Sequence, residues 1–340
     1  MMLKEIAITP GVFERDSFES EEAWLNHLRE LGTGIFPRTS VCPVVVSDLY
    51  DGSLFPQLVD RVKGIKCEVV RRFANELLKK LHDAGVKRPV KENWPGDDDS
   101  RWCREAIASH QDEELARVVS TRTSIDNSGI DHGILSPIEE SAKDSFWDGF
   151  VAAASPRMRV SEQVGLLRTM TLHAHWIAII NPHSLGSERE FVRSLYSNAC
   201  QRSLGFGMPA FEIHAEVDGK LTNEKEAERQ ARVVKSIKND LADLHPIQAP
   251  IRVIFWPKFL DRYVVAGNLT SLSSGQQRKQ LRWAVSMSHT ARSDQESDDR
   301  TPWHLVDKDG IRYIEQRFFS EVSLSEAATY DLDNLGIHSS

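Results

Sequence analysis

The sequence predicts an α/β protein of two domains. A mainly helical domain is expected over residues 1–152, and a mixed sheet with helices on both faces over residues 158–335. Three observations carry this reading. The second half alternates strand-sized apolar runs with amphipathic stretches, the signature of strands joined by crossover helices. The first half repeats its apolar residues mostly at helical spacing. A chain of 340 residues that is 40% hydrophobic is long and apolar enough for two cores.

In the first half, SEEAWLNHLRELG (Ser20–Gly32) has a serine start, an early glutamate pair and a glycine stop, which predicts a short amphipathic helix. SVCPVVVSDLYDG reads as a strand, its valine run bounded by turn residues. Leu58, Val62, Ile65, Val69, Phe73, Leu77 and Leu81 keep helical phase, which predicts one or two helices between Leu54 and Ala84. KENWPGDDDSR is a polar loop whose Asp97, Asp98 and Asp99 read as a solvated loop, a helix start or, alternatively, a divalent-cation site. Two helical stretches, the weakly patterned TRTSIDNSGIDHGILSP and a helix through Phe150 follow. VAAASPRMR, with small residues and Pro156, marks the domain junction.

In the second half, SEQVGLLRTMTL reads as a helix and HWIAIINPH as a strand. A helix from Ser187 to Cys200 follows, with a capping box between Ser187 and Glu190. AFEIHAEV is a strand. The helix from about Glu224 to Leu244 has Ala227, Ala231, Val234, Ile237, Leu241 and Leu244 as its inner stripe. IRVIFWP is a strand, DRYVVAG and NLTSLSS read as a hairpin, and the stretch from Trp303 through GIRYIEQRFF supplies a strand and a closing helix. The polar segment Arg292–Arg300 reads as an exposed loop.

Composition narrows the function classes. The longest apolar runs are strand-sized, so no membrane span is expected, and MMLKEIAITPG lacks the apolar core of a secretion signal, so a cytoplasmic location is expected. Cys42, Cys67, Cys103 and Cys200 lie far apart, which predicts buried small hydrophobes in a reducing compartment and no structural zinc. No metal and no cofactor are expected. The net charge of −8 argues against a protein that coats nucleic acid over its whole surface, but leaves room for a local basic groove.

One constellation suggests chemistry. The order HWIAIINPHS, helix, AFEIHAEV, helix, IRVIFWP and then LDRYVVAGNLTSLSSG resembles a phospholipase D-like domain over about residues 160–320. It is most similar to the bacterial branch whose signature reads His-x-Arg-aromatic. Such domains recur in bacterial antiviral defence operons, and a related non-catalytic version binds membrane lipid in some eukaryotic MIT-domain proteins. The resemblance implies metal-independent phosphodiester chemistry through a phosphohistidine, with a basic residue two positions on gripping the phosphate oxygens. Residues i and i+2 of a strand share a face, so the two side chains act together. Carried over, the basic position falls on Arg262, the small turn residues on Ser273, Ser274 and Gly275, and the acidic position on Gly267 with Asn268 beside it. The nucleophile position falls on Leu260, which cannot attack phosphorus. Arg262 therefore either grips an anion or pairs with a carboxylate such as Asp261.

The expected function is thus a non-catalytic subunit of a bacterial, antiphage-type complex that binds a partner protein encoded nearby or nucleic acid. Its anion-binding residues would be Arg262, Asn268, Ser274, Arg278, Lys279 and Arg282, the last beside Trp283. A solvated helix face is the alternative for the run from Arg278 to Arg282. Two further readings stand beside this one. The chain is an active phosphodiesterase or nuclease in which His183, at a strand's carboxyl end, replaces the missing nucleophile and works with Arg262. Or it is a homo-oligomeric scaffold. His173, His175, His214, His289 and His304 otherwise read as hydrogen-bonding residues. The Arg168-x4-His173 spacing also fits HEPN-type ribonucleases, although the pair is expected to straddle a helix end and a strand.

Overall fold

In the computed structural model the described residues are 2–36, 43–92, 98–112, 114–141, 153–154, 159–186, 188–201, 207–216, 223–244, 251–271, 277–287, 303–325, 327–332 and 337–339. The chain is α/β and divides into two compact units near residue 152.

The N-terminal unit winds its helices around a sheet. Strands β1 (Lys4–Ile8), β2 (Val44–Asp48), β3 (Gly85–Lys87), β4 (Arg117–Ser120) and β5 (Leu135–Pro137) form a five-stranded sheet in the order β3-β2-β1-β4-β5. All four pairings are parallel. Helices α1 (Glu21–Ile35), α2 (Leu49–Gly52), α3 (Leu54–Lys63), α4 (Glu68–Asp83), α5 (Asp99–Asp112), α6 (Arg122–Ser128) and α7 (Ile138–Ser141) connect and cover these strands. Helical residues outnumber strand residues here. The strands explain why only one of them stands out in the sequence: β3, β4 and β5 are three or four residues long.

Ser20 caps α1 by accepting the Ala23 N–H, but the helix runs past Gly32 to Ile35 because Leu28, Leu31 and Ile35 stay on its buried stripe. The apolar series from Leu58 to Leu81 belongs to two helices. Phase changes after Gly64, so that Val70, Ala74, Leu77 and Leu81 are buried while Val69 faces solvent. Asp99 opens α5, and Asp97 lies outside the described residues. The expected helix through Phe150 and most of the junction VAAASPRMR also lie outside them.

A fully buried ion pair sits within this unit. Arg88 Nε lies 3.0 Å from Glu5 Oε1, the Ser47 hydroxyl donates to the same carboxylate oxygen at 2.6 Å, and Arg88 Nη1 donates to Ser109 at 2.8 Å. The pair ties β1, β2 and α5 to the segment after β3. Arg88→Met leaves Glu5 as an uncompensated buried charge, so β1 and β2 amides should lose about 3–5 kcal/mol of protection in hydrogen exchange, most of it recovered in Glu5→Leu/Arg88→Met. Equal protection in the single and double variants would contradict this.

The C-terminal unit carries strands β6 (Ala153–Ala154), β7 (Trp176–Ile180), β8 (Ala210–Glu216), β9 (Ile251–Trp256), β10 (Tyr263–Ser271), β11 (Gln277–Ser286), β12 (Trp303–Leu305), β13 (Ala328–Leu332) and β14 (Ile337–Ser339). Their order is β14-β13-β9-β8-β7-β10-β11-β12-β6. β7, β8 and β9 are parallel, and the remaining pairings are antiparallel. The helices are α8 (Val160–Leu166), α9 (Arg168–Leu172), α10 (Arg189–Cys200), α11 (Asn223–Leu244), α12 (Lys308–Phe318) and α13 (Glu321–Leu324). One core joins Trp176, Ala178 and Ile180 of β7, Ile254 and Trp256 of β9, and Ile314 and Phe318 of α12.

Four expectations change. SEQVGLLRTMTL is two helices joined at Leu167, and Arg168 and His173 open and cap the second. The buried stripe of α11 is Gln230, Val234, Ile237 and Leu241, whereas Ala227 and Ala231 are exposed. Arg278, Lys279 and Arg282 lie on strand β11 and not on a helix. DRYVVAG and NLTSLSS do not fold back on each other. Residues 263–271 run as one strand, and the hairpin partner is β11. What resembles a turn at Gly267 is a β-bulge, where Ala266 faces Trp283 but Gly267 faces Leu281. A Cβ on Gly267 would stand 2.0 Å from the Gln280 carbonyl oxygen. Gly267→Ala should therefore destabilise this unit by about 3 kcal/mol, read as a lowered denaturation midpoint; an unchanged midpoint would refute the close approach.

Candidate nucleotide-binding cleft

The predicted residues do not form one cluster. Arg262 immediately precedes β10, whose Tyr263 pairs with Ile180, so it lies at the carboxyl edge of β7. There its Nη1 lies 3.7 Å from Glu188 Oε1, and the Asn181 amide donates to the other Glu188 oxygen at 2.5 Å. The carboxylate that meets Arg262 is thus Glu188, while Asp261 accepts from the Tyr263 and Tyr313 hydroxyls at 3.3 and 3.5 Å. Leu260, to which the resemblance assigns the nucleophile, is 83% exposed.

Asn268, Arg278 and Lys279 lie towards the other end of the β10–β11 ribbon, past the pairing of Gly267 with Trp176. At roughly 3.3 Å per residue, the six positions from Arg262 to Asn268 span about 20 Å, too far for one phosphate to meet both. Asn268 serves through its backbone, its carbonyl accepting the Trp176 indole N–H at 3.1 Å. Arg278 is exposed, and Arg282 lies over the Trp283 ring at 4.6 Å, where burial lowers its pKa. Ser273, Ser274, Gly275 and His289 lie outside the described residues. So does Ser187 of the expected capping box. His173 is buried, whereas His175 and His304 are exposed.

Lys279 turns inward. Its ammonium passes 5.5 Å from the Trp176 ring centroid and 5.7 Å from that of Phe319, and ion-pairs with Glu212 Oε1. Glu212 is buried on β8. It is in register with Arg252 of β9, whose Nη1 approaches the same oxygen at 3.9 Å while its Nε donates to Asp331 of β13 at 2.6 Å. Two residues on, His214 is fully buried. The Trp256 indole N–H donates to its Nδ1 at 3.0 Å, which fixes the neutral tautomer with hydrogen on Nε2, 3.8 Å from Glu212 Oε2. Phe318 and Phe319 close over the ring edge-on. This cluster therefore holds β8, β9, β11 and β13 together beneath α12.

The open site lies elsewhere, at the carboxyl edge of the three parallel strands, where open α/β sheets place their ligands. A cavity of about 410 Å³ is bounded by Pro182, His183, Leu185 and Gly186 of the β7–α10 loop, Glu216 of β8 and Phe255 of β9. Glu226, Arg229, Gln230 and Val233 of α11 complete it. A second cavity of about 350 Å³ shares Leu185, Arg229 and Val233 with it and adds Arg189, Arg232 and Ser236. Among the described residues, His183 is the one predicted residue on the cleft wall, and Arg262 is not part of that wall.

The loop is built from within: Asn181 Oδ1 accepts the His183 N–H at 2.9 Å, and Glu188 stands at the start of α10. Arg229 and Arg232 escaped notice because they lie on the polar side of a long charged helix, where arginines are ordinary. Glu226, Arg229 and Val233 do recur at helical spacing, a signal legible only once the opposite wall is known.

In the N-terminal unit, Asp99 fills the crevice between the carboxyl ends of β1 and β4. It accepts the Gly11 N–H at 2.6 Å and the Thr9 and Ser120 hydroxyls at 2.8 and 3.1 Å. Cys103 beneath it is buried, which pushes its thiol up to about 12. Cys67 and Cys200 are half-buried thiols. Among the described residues, no group of three histidine, cysteine or carboxylate side chains could hold a metal ion, and no helix is long and apolar enough to cross a membrane.

No family model, curated protein or solved structure matches the chain.

The buried cluster gives the unit a pH dependence. Burial alone would push the Glu212 carboxyl up, but His214 and Lys279 together hold it at about 2 against an ordinary 4.5. Burial also pushes His214 below its ordinary 6.5 despite the neighbouring carboxylate. Both folded values are depressed, so both contributions are fully present above the unfolded values. Stability is lost as pH falls, first below 6.5 for His214 and then between 4.5 and about 2 for Glu212. Urea midpoints followed by tryptophan fluorescence should decline in those two windows, and His214→Gln should flatten the first. A midpoint that rises between pH 6.5 and 5 would contradict the assignment.

Proposed function

We propose that the C-terminal unit binds the phosphate backbone of a nucleic acid in the cleft between the β7–α10 loop and α11, without cutting it. The observation that carries this reading is the meeting of Arg229 and Arg232 with His183 around two contiguous cavities at the carboxyl edge of parallel strands. Guanidinium groups suit phosphate oxygens because their fixed fork can donate two hydrogen bonds at once. A local cluster of this kind is compatible with the overall negative charge, since affinity for phosphates follows patches.

The non-catalytic part of the proposal is supported by Leu260, which is exposed where a nucleophile is implied, and by Arg262, which meets Glu188. The reading with a relocated nucleophile has one observation in its favour: His183 lines the same cavity as Arg229. A partner protein, implied by the resemblance, belongs to the same proposal.

Fluorescence anisotropy with labelled single- and double-stranded DNA and RNA, in EDTA and at stepped salt, tests both readings. Affinity should fall linearly on a log–log plot against salt. Arg229→Ala and Arg232→Ala should each reduce the slope by about 0.7–0.9 and weaken binding about tenfold, whereas Arg278→Ala should leave it unchanged. Absence of binding would overturn the proposal. Cleavage in EDTA that His183→Ala abolishes would replace it with the phosphodiesterase reading.

A further inference from the structure

We propose that the cleft takes one nucleotide unit whose base carries an exocyclic amino group, with the base in the larger cavity and its phosphate in the smaller one. This rests on the nucleic-acid reading above and adds a base preference to it.

The two cavities differ in chemistry. The larger has apolar walls from Pro182, Leu185, Val233 and Phe255, suited to the faces of a flat ring. Its volume of about 410 Å³ lies within the range of small-molecule sites. Two carboxylates, Glu216 and Glu226, also line it, and an ionised carboxylate only accepts hydrogen bonds. The Gln230 amide is already oriented: its oxygen accepts the Tyr330 hydroxyl at 2.9 Å, and its nitrogen donates to Glu226 at 3.3 Å. That wall therefore offers acceptors to whatever enters.

The smaller cavity is cationic. Arg189 is met by Asp240 and by Ser236, while Arg229 and Arg232 bring two further positive charges from α11. Because Leu185, Arg229 and Val233 border both cavities, one ligand can occupy both. An exocyclic amine on a flat ring has two N–H groups and can donate to both carboxylates at once, and an anion at the other end of the ligand completes the description of an adenine, guanine or cytosine nucleotide. Uracil, thymine and hypoxanthine lack that amine: each offers one ring N–H beside a carbonyl oxygen, so one carboxylate would face an acceptor.

Calorimetric titration of the full chain with AMP against IMP, and with CMP against UMP, in EDTA reads this directly, because within each pair the two donors of an amino group are replaced by a carbonyl oxygen and a single ring N–H. AMP should bind about tenfold or more tightly than IMP, and CMP than UMP. Glu216→Gln, and as a second variant Glu226→Gln, should narrow the AMP/IMP ratio, since an amide supplies a donor that a carbonyl accepts. Arg232→Ala should weaken AMP and IMP by the same factor. Equal binding of AMP and IMP, or binding of polymer with no mononucleotide binding, would overturn the base preference and leave the nucleic-acid reading standing. Failure of both mononucleotides and polymers to bind would overturn both. AMP selectivity without polymer binding would support the base site and overturn the polymer reading alone.

Discussion

One buried carboxylate organises the C-terminal unit. A glutamate placed on a central strand beneath a helix is costly unless its charge is met, and here cations meet it from two directions. Lys279 comes from β11, crossing the Trp176 ring to reach it, and Arg252 comes from the adjoining β9 while also holding Asp331. Those two demands pull the β10–β11 ribbon over the edge of β7 and pin β13 against β9. His214 completes the arrangement as a neutral ring, because Trp256 donates to one nitrogen and three aromatic side chains, Trp256, Phe318 and Phe319, pack against it and exclude water. With that face filled by the cluster, the cavities lie at the strand edge.

The division of labour among the cations follows. Lys279, Arg252 and Arg262 each meet a carboxylate of the fold, so a phosphate would have to displace that carboxylate to reach them. Arg229 and Arg232 of α11 line the two cavities beside the β7–α10 loop, at the ends of the parallel strands.

Much of the fold was legible. WIAII is an uninterrupted apolar run, IRVIFW is one apart from Arg252, and AFEIHAE alternates apolar residues with Glu212, His214 and Glu216; both patterns mark strands. The N-terminal sheet was hidden by its brevity: GVK and LSP carry no periodic signal, and KEIAI includes a buried glutamate whose partner, Arg88, is remote in sequence. Gly267 and Asn268 resemble a turn by residue type, and only the partner strand reveals a bulge. His183 was identifiable because a strand's carboxyl end is a predictable address. Arg229, Glu216 and Phe255 were not, since three separate elements must meet before they share a wall.

The Glu212 cluster also dictates when the unit can become complete. Lys279 lies 67 residues downstream of the carboxylate, and Asp331 lies 79 residues beyond Arg252. A ribosome therefore exposes β8 well before it has made the residues that neutralise it, and the α12 face cannot close on a partial chain. These contacts are of long sequence separation, so the cluster forms only after residue 331 has been made.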